Sequence, residues 1–265
     1  MQKNIDKNII IAFDDGRKDV YDNAYKIMKK YSLVGSFYVI TGSLDDSYIP
    51  KTGFKSGKKK FVTLENLLEM KKNGFEISSH SNNHTNDYDM IESSIKKLCN
   101  YKLMEKNFLS FSSPKSEINE KNYLDKNLKN LNLKYLRTGV QVRNESIYKK
   151  ILFIIQKYIK SKLAFYLLNK ENIMSSNKNN FFIKTIAIRS YNTIGQLEYL
   201  IKKIKNGQTA VLLFHSIVDS KDCIDEWGYS FNKFEKLCQF VSENKEYKNI
   251  TVKQFVTNTL GETNE

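Results

Sequence analysis

Seven short apolar runs punctuate the 265-residue chain, and each is followed by a polar cluster. They are NIIIAF (8–13), SFYVI (36–40), FEIS (75–78), FLSFS (108–112), a weaker run at 134–138, FIKTIAI (182–188) and TAVLLF (209–214). Runs that stay apolar, where a half-exposed strand would alternate, predict strands buried on both faces, as in parallel sheets. Between them the apolar spacing changes to three and four. Residues 20–31 place Val20, Ala24, Ile27 and Met28 on one helical face. Residues 63–73 open on Thr63, with Asn66 at the capping-box position, and stop at Gly74. Further helices are expected over 89–100, 119–130, 196–205 and 232–244. Alternating strands and helices predict an α/β fold built on a parallel sheet.

Two segments leave this rhythm. Residues 45–60 read as a long Gly/Lys-rich loop, and 145–180 as a helical insertion. The centre of the insertion, ILFIIQKYIKSKLAFYLLN from Ile151, is apolar with interspersed lysines. It predicts one or two helices capping the core; the competing expectation is a basic amphipathic face in peripheral contact with a membrane. No apolar run reaches the roughly 18 residues of a membrane span. The opening MQKNIDKNIII has no signal-peptide pattern, and Cys99, Cys223 and Cys238 form no CxxC pair. Reduced thiols and a cytoplasmic location, or the inner membrane surface, are therefore expected. The length suits one catalytic domain over 1–265. The net charge of +14 admits an anionic partner such as a phosphorylated substrate or anionic lipid. No nucleic-acid motif accompanies it, so no nucleic-acid partner is expected.

The candidate chemistry lies at the strand ends. The chain has only three histidines. His80 and His84 lie in HSNNH, just after the third apolar run, and His215 directly follows the last. Asp14 and Asp15 follow the first run. In α/β barrels and open sheets these ends gather on one face, where sites are built. Two imidazoles and a carboxylate suit a divalent metal, with positions left for water. Either aspartate can be the ligand while its neighbour addresses the water. HxxxH alone is a weak signal, and Asp-Asp-Gly alone is commonly a turn. Their joint placement at strand ends, in a chain with no other histidine, makes coincidence a poor explanation.

AFDDG (12–16), HSNNH (80–84) and LLFHS (212–216) resemble, in order and spacing, motifs of the polysaccharide deacetylases, the NodB-homology group or carbohydrate esterase family 4. The resemblance spans roughly residues 5–257. It implies a distorted (β/α) barrel with about seven parallel strands. It also implies Asp14 as general base, Asp15, His80 and His84 as metal ligands, and His215 as general acid. The implied cofactor is one divalent cation, zinc first, with cobalt, nickel, manganese or iron as alternatives. The implied reaction is N-deacetylation of an amino sugar or glycan, and bulk charge adds a phosphate- or lipid-linked form. The family's third motif, often Arg-x-Pro-Tyr, is altered: FSSPKS (111–116) keeps Pro114 but has Ser112 and Lys115 where Arg and Tyr are expected. This leaves Asp14 without its usual orienting arginine. Pro114, Lys115 and the single tryptophan, Trp227, are candidate substrate contacts.

Two other classes compete. A non-catalytic glycan-binding protein on the same fold would explain the altered third motif, but not the retention of both metal ligands and acid. An iron oxygenase would share the two-His-one-carboxylate set, but those enzymes use a double-stranded β-helix and this chain reads α/β.

Overall fold

Strand β1 (Lys7–Phe13) is buried from Asn8 onward, as an unbroken apolar run in a parallel sheet requires. The computed structural model describes residues 6–45, 60–124, 127–138, 146–175 and 180–260. After β1, a π-helical turn (Val20–Tyr25) runs into α1 (Lys26–Lys30). The chain continues through β2 (Gly35–Val39), α2 (Leu64–Lys72), β3 (Glu76–Ser79), α3 (Tyr88–Asn100), β4 (Ser110–Ser112) and β5 (Tyr135–Arg137). Helices α4 (Ile147–Ile154) and α5 (Lys162–Asn169) follow, then β6 (Met174–Ser175), β7 (Phe182–Ile183), β8 (Ile186–Ala187) and α6 (Ile194–Lys202). The last elements are β9 (Gln208–Phe214), β10 (Ser216–Val218), β11 (Gly228–Ser230), α7 (Phe231–Glu243), β12 (Tyr247–Asn249) and α8 (Val252–Leu260).

The main sheet runs β9-β1-β2-β3-β4-β5-β7, all parallel, and β8 returns to pair in parallel with β9. Strands β7 and β8 are the two ends of the expected run 182–188, interrupted at Lys184 and Thr185. The seven expected strands therefore form a nearly closed, distorted (β/α) barrel whose sixth stave in chain order, 182–188, is broken. Two pairings were not foreseen. Strand β6 joins β9 antiparallel, and β12 lies beside the first half of β1, below the start of β2. A separate parallel pair, β10 and β11, stands beyond β9.

Side-chain alternation divides the core in two. Ile10, Ala12, Tyr38, Tyr135, Val211 and Leu213 belong to one cluster, inside the barrel, closed at its floor by Val252, Phe255 and Val256 of α8. Ile9, Ile11, Phe13, Phe37, Val39 and Phe214 face outward to the helices. The capping box forms as read, although its partner is Asn: Asn66 N–H donates to Thr63 Oγ1, and Thr63 N–H donates to Asn66 Oδ1. The expected helix over 119–130 does not form. Residues 120–123 are turns, 125–126 lie outside the described residues, and a 3-10 turn covers Leu128–Leu131. Asn127 and Asn132 flank that turn in the left-handed region, a conformation that asparagine tolerates and a helix excludes. Residues 46–59 of the expected loop, and 145 and 176–179 of the expected insertion, also lie outside the described residues.

Glu76 is a buried carboxylate inside the barrel. It accepts hydrogen bonds from Ser36 Oγ (2.6 Å), Tyr135 Oη (2.6 Å) and the Lys253 N–H at the start of α8 (2.9 Å). Burial pushes its pKa up despite these donors. Glu76→Ala strands three donors and is expected to destabilise the fold by about 2–4 kcal/mol, read by urea unfolding. The wild type, relative to Glu76→Gln, should lose stability as pH rises through the ordinary glutamate range, because burial makes the folded chain hold that proton more tightly than the unfolded one.

Candidate active site

The interior parity of each strand continues through its C-terminal end. Asp14 follows Ile10 and Ala12 in β1, and His215 follows Val211 and Leu213 in β9. His80 follows Glu76 and Ser78, Ser112 follows Ser110, and Arg137 follows Tyr135. One period-two rule thus brings five polar side chains from five strands to one mouth.

Asp15 breaks the parity through backbone conformation. Its φ is 74°, and that of Gly16 is 71°. Left-handed backbone at a non-glycine residue costs roughly 1–2 kcal/mol, and at Gly16 a Cβ would sit 3.0 Å from Val39 Cγ1. The turn swings the Asp15 carboxylate back beside Asp14. Asp15 Oδ1 then lies 3.5 Å from Nε2 of both His80 and His84. Ser81 and His84 are also left-handed (φ 62° and 60°). The Ser81 carbonyl accepts the Thr41 N–H and the Ser81 hydroxyl accepts the Thr85 N–H, which pins the loop.

Asp15, His80 and His84 each offer one ligand atom, all within 4.8 Å of one another. A tetrahedral site with bonds of about 2.0–2.1 Å has edges of about 3.4 Å, close to the observed 3.5 Å. Asp15 Oδ2 is buried with no hydrogen-bond partner among the described residues, an orphan that a cation would satisfy. His80 Nδ1 lies 2.8 Å from the Ser112 carbonyl oxygen. A carbonyl only accepts, so Nδ1 carries the proton and the Nε2 lone pair faces Asp15. Burial works to raise the Asp15 pKa, but the His80 hydrogen bond and the charges of His215, His80 and His84 outweigh it and hold the carboxyl well below its usual range. Burial and then His80 push the His84 imidazole down to about 4, against the pull of Asp15 and Asp14. An ionised carboxylate beside a neutral imidazole is the protonation state a metal requires. The donor set fits the divalent cation.

Asp14 faces a different environment. Arg137 Nη2 donates to Asp14 Oδ2 at 2.5 Å and also contacts Ser112 Oγ, which lies 3.4 Å from Asp14 Oδ1. Arg137 is buried to 1% exposure and packs on the Tyr38 ring. The orienting arginine judged missing from residues 111–116 is therefore supplied by β5. Sequence reading missed it by looking only within the third motif. The available signal was a charged residue at the interior parity of a short apolar strand, two positions after Tyr135. His215 Nε2 lies 3.9 Å from Asp14 Oδ2. Burial pushes the His215 imidazole down to about 4, against Asp15 and Asp14.

The expected substrate contacts flank the mouth. The Trp227 ring meets His215 edge-on at 4.3 Å between centroids, and the Arg189 guanidinium, also unforeseen, stacks on its face at 3.3 Å. Pro114 is buried, its carbonyl held by Asn86 Nδ2. Lys115 is exposed, in left-handed backbone, and its charge acts on His84.

The sequence profile of the polysaccharide deacetylases matches residues 2–138, just over half of the chain. The chain belongs to the polysaccharide deacetylase family. The Bacillus subtilis (strain 168) protein named "Putative polysaccharide deacetylase YxkH" is 32% identical over 83 residues, which cover 31% of this chain and 25% of that protein. The match thus spans a quarter of the curated relative's length. Among solved structures, peptidoglycan deacetylase PdaC from Bacillus subtilis superposes with TM-score 0.50 at 14% identity, covering 97% of this chain and 93% of that one. A family 4 acetyl xylan esterase from Clostridium thermocellum, solved with a cobalt ion, gives 0.51 at 15%, covering 95% and 91%. At these identities the likeness is one of fold. The polysaccharide deacetylase match contains Asp14, Asp15, His80, His84 and Arg137. His215, Arg189 and Trp227 lie beyond it.

Proposed function

We propose that the protein is a metal-dependent N-deacetylase of an acetylated amino sugar or glycan, acting as one catalytic unit. The observation that carries the reading is the division of labour between adjacent carboxylates. Asp15 Oδ1 lies 3.5 Å from two imidazoles, while Asp14 Oδ2 meets Arg137 at 2.5 Å and stands 3.9 Å from both His215 and His80. A divalent cation held by Asp15, His80 and His84 would lower the pKa of a bound water and polarise the acetyl carbonyl; zinc suits the donor set best. Asp14, held by Arg137, takes the water's proton as the hydroxyl adds to the acyl carbon. His215, 3.9 Å from Asp14, passes on the proton that Asp14 has taken and delivers it to the nitrogen as the C–N bond breaks. Water is thus divided between the two products, acetate and a free amine. Trp227 offers an aromatic face to a sugar ring, with Pro114 and Lys115 across the mouth.

The substrate class is an N-acetylated amino sugar, and the positive charge of the chain favours a phosphate- or lipid-linked form over a neutral polymer. The test is acetate release from nucleotide-linked, lipid-linked and oligomeric N-acetylamino sugars, with a chelator control. Release from at least one class, abolished by chelator and restored by zinc, is expected. Chelator-resistant release sinks the metal assignment, and no release from any class sinks the deacetylase reading. His84→Ala should purify with less than a tenth of the wild type's metal by elemental analysis, since a two-ligand site loses affinity by at least about 10–100-fold.

A further inference from the structure

Ten large hydrophobic side chains are exposed among the described residues, and seven of them lie between 147 and 163. Soluble surfaces scatter such residues singly, and a concentrated patch marks an interaction site. Helix α4 continues through a π-helical turn (Ile155–Ile159), and along this rod Ile147, Ile151, Ile154 and Tyr158 recur at spacings of four and three. That is one outward stripe, ranging from half exposed at Ile151 to 77% at Ile147. Tyr148 and Ile159 flank it, and Leu163 of α5 extends it. The inward face is satisfied separately. Leu152 and Gln156 are buried there, with Ala164 and Phe165 from α5. The stripe is thus surplus to the hairpin's own packing.

Charge identifies what covers it. Residues 146–170 contain Lys149, Lys150, Lys157, Lys160, Lys162 and Lys170 and no Asp or Glu. Glu171, immediately beyond, pairs with Lys149. Isoleucines and tyrosines edged by lysines are the composition of a helix lying in an anionic lipid interface. A second copy of the chain would bring an equal positive charge against this one.

The patch also adjoins the site. Lys160, at the hairpin turn, donates to the Tyr191 carbonyl, and Asn192 Nδ2 donates to Gln156 Oε1. Two residues before Tyr191, Arg189 stacks on Trp227, which contacts His215. The hairpin is therefore fixed to the rim of the mouth.

We propose that the α4–α5 hairpin docks the protein peripherally on an anionic membrane, with the mouth beside the bilayer. Resting on the deacetylase reading, this selects a lipid-linked amino sugar, presented at the headgroup level, as substrate.

The test is co-sedimentation of the full chain with vesicles of phosphatidylcholine, with and without phosphatidylglycerol. It compares wild type with Ile151→Glu/Tyr158→Glu/Ile159→Glu, all at exposed positions. Wild type should bind the anionic vesicles, and added salt should weaken binding. The variant should bind at least about tenfold more weakly, while its thermal melt and its rate on a soluble substrate stay unchanged. Equal sedimentation of both proteins, or none of the wild type, overturns the proposal. So does a wild-type dimer that the variant dissolves without any vesicle binding. Vesicle binding needs no turnover, so docking without acetate release would reject the deacetylase reading alone.

Discussion

Asp14→Asn should retain full metal occupancy and lose acetate release by about 10²–10⁴-fold, the usual contribution of a positioned proton acceptor. The two halves of this result rest on different contacts. The proposed ligand atoms are those of Asp15, His80 and His84, a group that does not include Asp14. Asparagine is nearly isosteric: its carboxamide oxygen can accept from Arg137 while its amide donates to the Ser112 hydroxyl. Proton acceptance is removed together with the charge opposite Arg137, so some stability is lost as well. Elemental analysis alongside a coupled acetate assay reads both halves. Loss of metal would move Asp14 into the ligand set, and a wild-type rate would move the proton acceptor elsewhere, with Asp15 the nearest carboxylate.

Arg137→Met is expected to cost both stability and rate. The Asp14–Arg137 pair is buried on both sides, at 5% and 1% side-chain exposure. Removing one member of such a pair leaves an uncompensated charge and typically costs about 3–5 kcal/mol. Thermal or urea unfolding should show a loss of that size, and acetate release should fall because nothing then fixes the carboxylate. Arg137→Lys keeps the charge but lacks the planar guanidinium that packs on Tyr38 and reaches Asp14 and Ser112 through Nη2, so it should fall between. The double variant Asp14→Asn/Arg137→Met should be more stable than the sum of the single losses allows, because it removes both charges together. Strict additivity would mean that the pair is not coupled.

The strands were legible because parallel staves buried on both faces leave continuous apolar runs, and all seven appear where NIIIAF, TAVLLF and their counterparts place them. The mouth was legible for the same reason: Asp14 and His215 come next in the sequence after such runs, and His80 comes two positions after one. Arg137 was not, because its strand has three residues and its partner is 123 positions away; only the barrel's closure brings Tyr135 and Arg137 to the inside. The broken stave at Lys184 and Thr185 was hidden, since Ile183 and Ile186 read as one run. The failure at 119–130 has a local cause. Apolar spacing of three and four was present, but five asparagines between 119 and 132 offer side-chain hydrogen bonds that compete with helix. Helix α8 went unread, although its Val252, Phe255 and Val256 follow helical spacing.

The floor formed by α8 and the seat of β12 beside β1 have a consequence for biosynthesis. Besides its neighbour β2, strand β1 pairs with β9 and β12, some 200 and 240 positions later. Until the stretch around 247–260 emerges, the nascent cylinder stays unsealed at its base, with the Glu76 carboxylate lacking its Lys253 donor. Such long-range closure is slow and exposes sticky surface in the interim. Translation speed and chaperone capture over α8 should therefore govern the yield of this protein in cells.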